Sequence, residues 1–231
     1  MSKRYKIVFL IRFFGYFLFF TGLFGVVFIL GPFIQAEIGY RKDRILGIKR
    51  SVTSTVPSQM PKPISQEGTK AEGFESVVAS EDIIEPVSTD YGIVIEKINA
   101  NAKIITGVNP ANENEYVKAL QSGVAEALGS TQPGTPGNLY LFSHSTDAPW
   151  NIIRFNAIFY LLRELEQGDR VIIFYANRRY DYIVFDKIVT EPEDVSYLTN
   201  VYDVPVLTLQ TCDPPGTLLK RLVVRAKLVS S

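Results

Sequence analysis

The stretch Val206-Leu207-Thr208-Leu209-Gln210-Thr211-Cys212-Asp213-Pro214-Pro215-Gly216 runs one apolar segment into a tight turn, and a second segment, Leu219 to Val229, follows at once. Two β-rich runs on either side of Pro-Pro-Gly read as neighbouring antiparallel strands. Cys212 closes the first strand, where a thiol can face a cleft instead of the core. In the second strand, alternation puts Arg221, Val223 and Arg225 on one face and Leu222, Val224 and Ala226 on the other. The reversal after Cys212 brings Arg221 back beside the thiol. Arg225 and Lys227 read as surface cations on an edge strand.

Working outward, the same texture covers most of the chain from Tyr91 on. Gly92 to Ile95 and Lys103 to Thr106 are short β-branched runs separated by polar residues. Asn138 to Ser143 is a strong strand that ends at His144. Arg170 to Tyr175 and Tyr180 to Val189 flank a tight turn containing Asn177 and read as a hairpin. Helical spacing appears twice: Asn112 to Gln121, with Asn112 as candidate cap, and Ile152 to Leu165, stopped by Gly168. Many short strands with few helices predict a mostly-β fold, a closed or nearly closed barrel.

The N-terminal part is of another kind. Phe13 to Ala36 carries no charged residue. As a helix it is about 36 Å long at ~1.5 Å per residue, enough to cross a ~30 Å hydrocarbon layer. Its length, and the lack of a clear small-x-small cleavage site, favour an uncleaved anchor over a signal peptide. Lys3, Arg4, Lys6 and Arg12 precede it, and Arg41, Lys42, Arg44, Lys49 and Arg50 follow it, so charge alone leaves orientation open. Residues 51–90 are rich in Ser, Thr, Pro and Glu and read as a flexible tether, with Val77, Val78, Ile83 and Ile84 as a candidate docking arm. The expected organisation is a tail over residues 1–12, a transmembrane helix over 13–36, a juxtamembrane segment and linker over 37–90, and a folded domain over 91–231.

Composition narrows the chemistry. The 231 residues hold 24 Lys and Arg against 24 Asp and Glu, so net charge gives no case for nucleic acid. One cysteine excludes an intrachain disulfide and any multi-cysteine zinc site. The one cysteine, the one histidine and a strand-borne arginine nevertheless suffice for acyl transfer through a thioester. Cys212 supplies the nucleophile. His144, with an ordinary pKa of about 6.5, gives a proton to a departing amine and takes one from an incoming nucleophile. Arg221 stays charged and offers a fork of donors to an oxyanion or a substrate carbonyl.

Thr211 is a candidate to direct its hydroxyl or backbone N–H at the same carbonyl. The acidic loop from Thr190 to Pro205 carries Glu191, Glu193, Asp194 and Asp203, but their spacing matches no calcium-loop motif, and it reads as solvated. Its apolar members, Leu198 and Val201 among them, are candidates to line a peptide groove. On residues alone, three functions remain open: a transpeptidase, a thiol hydrolase with water as acceptor, and a membrane-tethered β-barrel binding module with an inert cysteine.

From about Tyr91 to Val229 the chain resembles the sortases, membrane-anchored cysteine transpeptidases of bacteria. The resemblance rests on Thr-Leu-x-Thr-Cys at Thr208–Cys212, Arg221 nine positions on, and His144 closing Gly137-Asn138-Leu139-Tyr140-Leu141-Phe142-Ser143. Gly168-Asp169 before a hairpin strand and the Tyr180-x-Tyr182 pair add to it. It implies a barrel of about eight strands with two or three short helices and no metal or organic cofactor. Cys212 is then the nucleophile toward a Leu-Pro-x-Thr-Gly-like sorting motif, His144 the acid/base and Arg221 the oxyanion partner. The implied partners are a protein with a C-terminal sorting signal, an amine acceptor such as a cell-wall peptide or a pilin lysine, and the lipid bilayer. The implied location is the cell membrane, with the catalytic domain extracytoplasmic. Ser145 after the histidine and Asp213-Pro214-Pro215 after the cysteine depart from the best-known housekeeping group.

Overall fold

The computed structural model describes residues 3–48, 50–52, 83–145 and 158–230. The expectations for Val77, Val78 and the first turns of the 152–165 helix lie outside these residues. In chain order the elements are α1 (Lys3–Leu46), β1 (Ser51–Val52), β2 (Ile83–Ile84), β3 (Tyr91–Ile95), β4 (Ala100–Val108), α2 (Glu113–Leu120), β5 (Val124–Ala127), β6 (Gly137–Phe142), β7 (Arg170–Tyr175), β8 (Arg178–Thr190), α3 (Ser196–Thr199), β9 (Pro205–Asp213) and β10 (Lys220–Ser230).

Eight of the strands close on one another in the order β10-β8-β7-β3-β4-β5-β6-β9. The fold is therefore mostly β, an eight-stranded closed barrel with few helices. Closure corrects one reading of the sequence: β10 is no edge, since it pairs with β8 on one side and β9 on the other. Ala176 and Asn177 both take positive φ (49° and 60°), the geometry that matches a two-residue hairpin turn to strand twist.

Period-two alternation fills the interior. Leu139 and Leu141 of β6, Leu207 and Leu209 of β9, and Leu222, Val224 and Ala226 of β10 all join the main buried cluster. The residues between them therefore face outward, among them Tyr140, Gln210, Cys212 and Arg221. Two parallel pairings shape the wall. The β4–β5 crossover is made by α2, whose Leu120 and Ala119 pack with Val108 and Ala125, with Tyr116 and Phe142 against them. Asn112 stands at the N-cap position but makes no side-chain capping bond; Glu115 instead accepts from the Asn109 N–H at 2.8 Å.

Within the expected 152–165 helix, the described residues form a turn and a short 3-10 segment, Leu162–Glu164. Phe159, Leu162 and Leu165, three residues apart, are all fully buried. A period of three suits the 3-10 geometry, in which side chains at i and i+3 eclipse.

The 44-residue helix α1 extends well past both ends of the expected 13–36 span. Its stretch Lys6–Phe28 has the length and composition of a membrane span or a signal sequence, and none of it is buried among the described residues. Beyond that stretch the helix meets the barrel. Arg163 Nη2 donates to Glu37 Oε2 at 3.2 Å and Tyr40 packs on the main core cluster, while Asp43 pairs at 2.5 Å with Arg50, just past the end of the helix itself. Burial, then the Glu164 carboxylate, raise the Tyr40 phenol above its ordinary value.

After α1, β1 and β2 pair in parallel although thirty residues separate them in the chain. Val52 and Ile84 pack with Val94, Ile172 and Phe174 on the outer barrel wall. Glu96 accepts from the Val52 N–H at 2.9 Å, and Arg179 donates to the Val52 carbonyl at 3.2 Å.

Candidate active site

Three adjacent strands build the site. The parallel β6–β9 ladder keeps one register from Gly137↔Pro205 to Phe142↔Gln210, every pair separated by the same interval in sequence. The Thr211 hydroxyl, donating to the Ser143 carbonyl at 2.9 Å, continues that interval of 68 residues. The Ser143 N–H bonds the Gln210 carbonyl at 3.1 Å, one residue short of that interval, as the slanted bonds of a parallel ladder require. One step further, the interval sets His144 opposite Cys212. On the other side of β9, Arg221 is the antiparallel partner of Cys212. The sequence order His144, Cys212, Arg221 thus becomes a row across β6, β9 and β10.

Arg221 Nη1 lies 3.6 Å from Cys212 Sγ and donates toward it; the same nitrogen donates to the Lys220 carbonyl at 3.2 Å and the Leu218 carbonyl at 3.4 Å. These backbone acceptors fix the guanidinium beside the sulfur. His144 and Cys212 are each half-buried. All three line one cavity of about 350 Å³ on the outer face of the barrel. Tyr116, Val117 and Leu120 of α2 form one wall, and Val195 and Leu198 of the β8–β9 connection form the other.

The remaining candidates separate. Thr211 is buried, with its hydroxyl committed to Ser143. Leu198 lines the cavity; Val201 is 88% exposed and is not part of its lining. In the acidic loop, Glu191 pairs with Lys220 at 2.9 Å. Hydrogen bonds from Ser196 and Thr190 hold the Asp194 carboxyl below the usual carboxylate range. Among the described residues, no three His, Cys, Asp or Glu come together as metal ligands.

Sequence reading missed a second polar row beneath the site. On the outward face, the Thr208 hydroxyl donates to Asn138 Oδ1 at 2.7 Å, and Asn138 Nδ2 donates to the Tyr197 carbonyl of α3 at 2.9 Å. Tyr140, 4% exposed, donates its hydroxyl to Gln210 Oε1. Burial raises the Tyr140 phenol far above its ordinary value, with the Arg221 cation pulling it partly back. Arg225 is also no simple surface cation: it pairs with Asp186 at 2.6 Å, donates to the Tyr202 hydroxyl and lies 5.4 Å from the Tyr197 ring, bracing the same wall. The signal for this row was available, because Gln210 and Cys212 share a face by alternation.

A sulfur, an imidazole and a guanidinium thus line one outward groove of a closed barrel, the groups that acyl transfer through a thioester would need. A family profile described as Sortase domain matches residues 93–229, more than half of the chain, and the chain belongs to the sortase family, whose members are in general cysteine transpeptidases. Among solved structures, sortase C-1 from Actinomyces oris is 26% identical with a TM-score of 0.53, over 63% of this chain and 76% of that one. Sortase C1 from Streptococcus agalactiae is 28% identical with a TM-score of 0.50, over 61% and 67%. A Clostridium perfringens Sortase D5 transpeptidase shares the fold, at 24% identity and a TM-score of 0.51, over 64% and 82%. No curated protein matches the chain.

Proposed function

We propose that this protein is a membrane-anchored cysteine transpeptidase that cleaves a Leu-Pro-x-Thr-Gly-like sorting motif and joins the acyl half to an amine. The observation that carries this reading is the convergence of Cys212, His144 and Arg221 on one cavity, with the guanidinium 3.6 Å from the sulfur. The domain stands outside the cell membrane, where a cell-wall peptide or a pilin lysine supplies the acceptor amine. The reaction draws on no metal or organic cofactor.

In the first half-reaction the Cys212 thiolate attacks the scissile carbonyl carbon, and its C=O electrons move onto oxygen. Arg221 stabilises that oxyanion; one such donor is worth about 3 kcal/mol of barrier. As the tetrahedral intermediate collapses, the C–N bond breaks, protonated His144 passes its proton to the departing amine, and a thioester remains. In the second half-reaction the acceptor amine attacks the thioester carbonyl. Neutral His144 takes the amine's proton, the C–S bond breaks, and the thiolate is restored. The apolar walls from α2 and the β8–β9 connection limit access of water, which favours an amine over hydrolysis.

The test is to incubate the full chain in detergent with a sorting-motif peptide and an amine, and to seek the ligated product by mass spectrometry. Ligation is expected in the wild type and absent in Cys212→Ala, and His144→Ala should lose orders of magnitude in turnover with unchanged melting. Release of hydrolysed peptide alone would make the protein a thiol hydrolase. An inert wild-type chain whose thiol labels only on global unfolding would make it a binding module.

A further inference from the structure

Gln210 stands two residues before Cys212 on the same outward face of β9, about 6.6 Å along the strand at ~3.3 Å per residue, and both line the cavity. An extended peptide has the same repeat. With its scissile carbonyl at the Cys212 sulfur, a peptide laid along this face carries another backbone group over Gln210. What Gln210 offers that group is fixed from below. A carboxamide has one acceptor oxygen and two N–H donors, and the Gln210 oxygen already accepts from the buried Tyr140 hydroxyl. The donor end is left for the cavity.

Of the polar groups nearest Gln210 along β9 and the facing loop, none offers the same donor. The Thr211 hydroxyl is committed to Ser143, the Asp194 carboxylate is an acceptor already bonded by Thr190 and Ser196, and Arg221 is held beside the sulfur. The facing walls at Val117, Leu120, Val195 and Leu198 are apolar. A peptide carbonyl buried against such walls without a donor is costly.

We propose that Gln210 is a peptide-binding residue whose Nε2–H donates to a backbone carbonyl about two residues from the scissile one, and that Tyr140 is the positioning residue that orients it. The sorting peptide as ligand rests on the transpeptidase reading. A contact to the backbone sets where the chain lies whatever its side chains are, so it acts on register instead of on side-chain choice. Tyr140 acts only through the carboxamide, by keeping its oxygen turned down.

The experiment measures equilibrium binding of a Leu-Pro-x-Thr-Gly-containing peptide to the full chain carrying Cys212→Ala, so that no turnover intervenes. Adding Gln210→Met, which keeps the shape and loses the donor, should weaken binding roughly tenfold, as a lost hydrogen bond to a buried carbonyl does. Tyr140→Phe should weaken it less. A peptide with an alkene isostere at the contacted bond should bind the Gln210→Met chain and its parent alike. With Cys212 intact, Gln210→Met should raise KM more than it lowers kcat, and labelling of the thiol by a small maleimide should not change.

Equal peptide affinity within twofold for Gln210→Met and its parent would overturn the proposal. So would a loss that persists with the alkene peptide, or no peptide binding by the parent chain. Should Gln210→Met fail to fold, Gln210→Ala and Tyr140→Phe carry the same comparison. Binding by the Cys212→Ala chain, with no ligation by the wild type, would end the transpeptidase reading and leave the Gln210 contact standing.

Discussion

Arg221 donates through Nη1 to two backbone carbonyls of its own turn while reaching the sulfur, and its planar guanidinium carries further donors at Nη2 and Nε. A lysine at this position keeps the charge and loses the fork. Arg221→Lys should therefore lower kcat on the sorting peptide by about a hundredfold, in line with ~3 kcal/mol for an oxyanion donor, with little change in urea midpoint. Activity within threefold of wild type would show that charge alone suffices.

A second residue-scale consequence follows from the buried phenols. Burial raises Tyr91, which donates to Glu126, and Tyr140 far above the ordinary tyrosine value near 10. Above pH ~10 the unfolded chain releases these protons and the folded chain keeps them. Stability is then fully present below pH ~10 and falls above it, by up to about 1.4 kcal/mol per pH unit for each such group. Urea titrations at pH 9, 10 and 11 should show that decline, and Tyr140→Phe should make it shallower; an unchanged slope in the variant would remove Tyr140 as a source.

At the scale of the elements, the β6–β9 pair decides where His144 stands relative to Cys212, and buried polar bonds tie it together. Thr208 is completely buried, and Asn138 bridges it to α3. Thr208→Val keeps the shape and strips a partner from Asn138 Oδ1, so it should cost about 1–3 kcal/mol in urea unfolding. A loss below 0.5 kcal/mol, on the order expected of an exposed site, would mean water replaces the bond. The strands themselves were legible because strict alternation separates Leu139, Leu141, Leu207 and Leu209 from their outward neighbours. The parallel partnership of β6 with β9 was not, since a non-local pairing leaves no mark in local pattern. β5 was missed because Val124-Ala125-Glu126-Ala127 is short and half alanine, which signals neither state. Phe159, Leu162 and Leu165 are buried, but their three-residue repeat satisfies a 3-10 turn as well as one helical face, so spacing alone does not separate the two.

For the molecule as a whole, composition along residues 51–90 gave a tether, yet both of its described ends are fastened. β1 and β2 pair side by side on the barrel, so the chain between them leaves and returns at one place. The docking arm expected at Ile83 and Ile84 is seen at Ile84, which packs on the barrel wall, whereas the matching anchor at Val52 leaves no mark in local composition. The connection from α1 to the barrel is instead made by Glu37, paired with Arg163, and by Tyr40, packed on the core cluster. Glu37 lies nine residues past Phe28, about 13 Å along the helix at ~1.5 Å per residue. The Glu37–Arg163 ion pair in this contact is partly exposed and worth less than about 1 kcal/mol, so the dock depends on it together with the packing of Tyr40. Because Cys212 is the chain's one cysteine, Cys212→Ala gives a background in which Glu37→Cys and Arg163→Cys can be joined by a short bismaleimide. In the full chain in lipid nanodiscs, intramolecular cross-linking should be nearly complete, and cutting at a protease site inserted within residues 53–82 should leave both fragments joined. A control pair, Glu37→Cys with Lys118→Cys on α2, should not cross-link. Equal yields from the two pairs would mean the barrel swings on a tether, and the active-site groove would then have no fixed height above the bilayer.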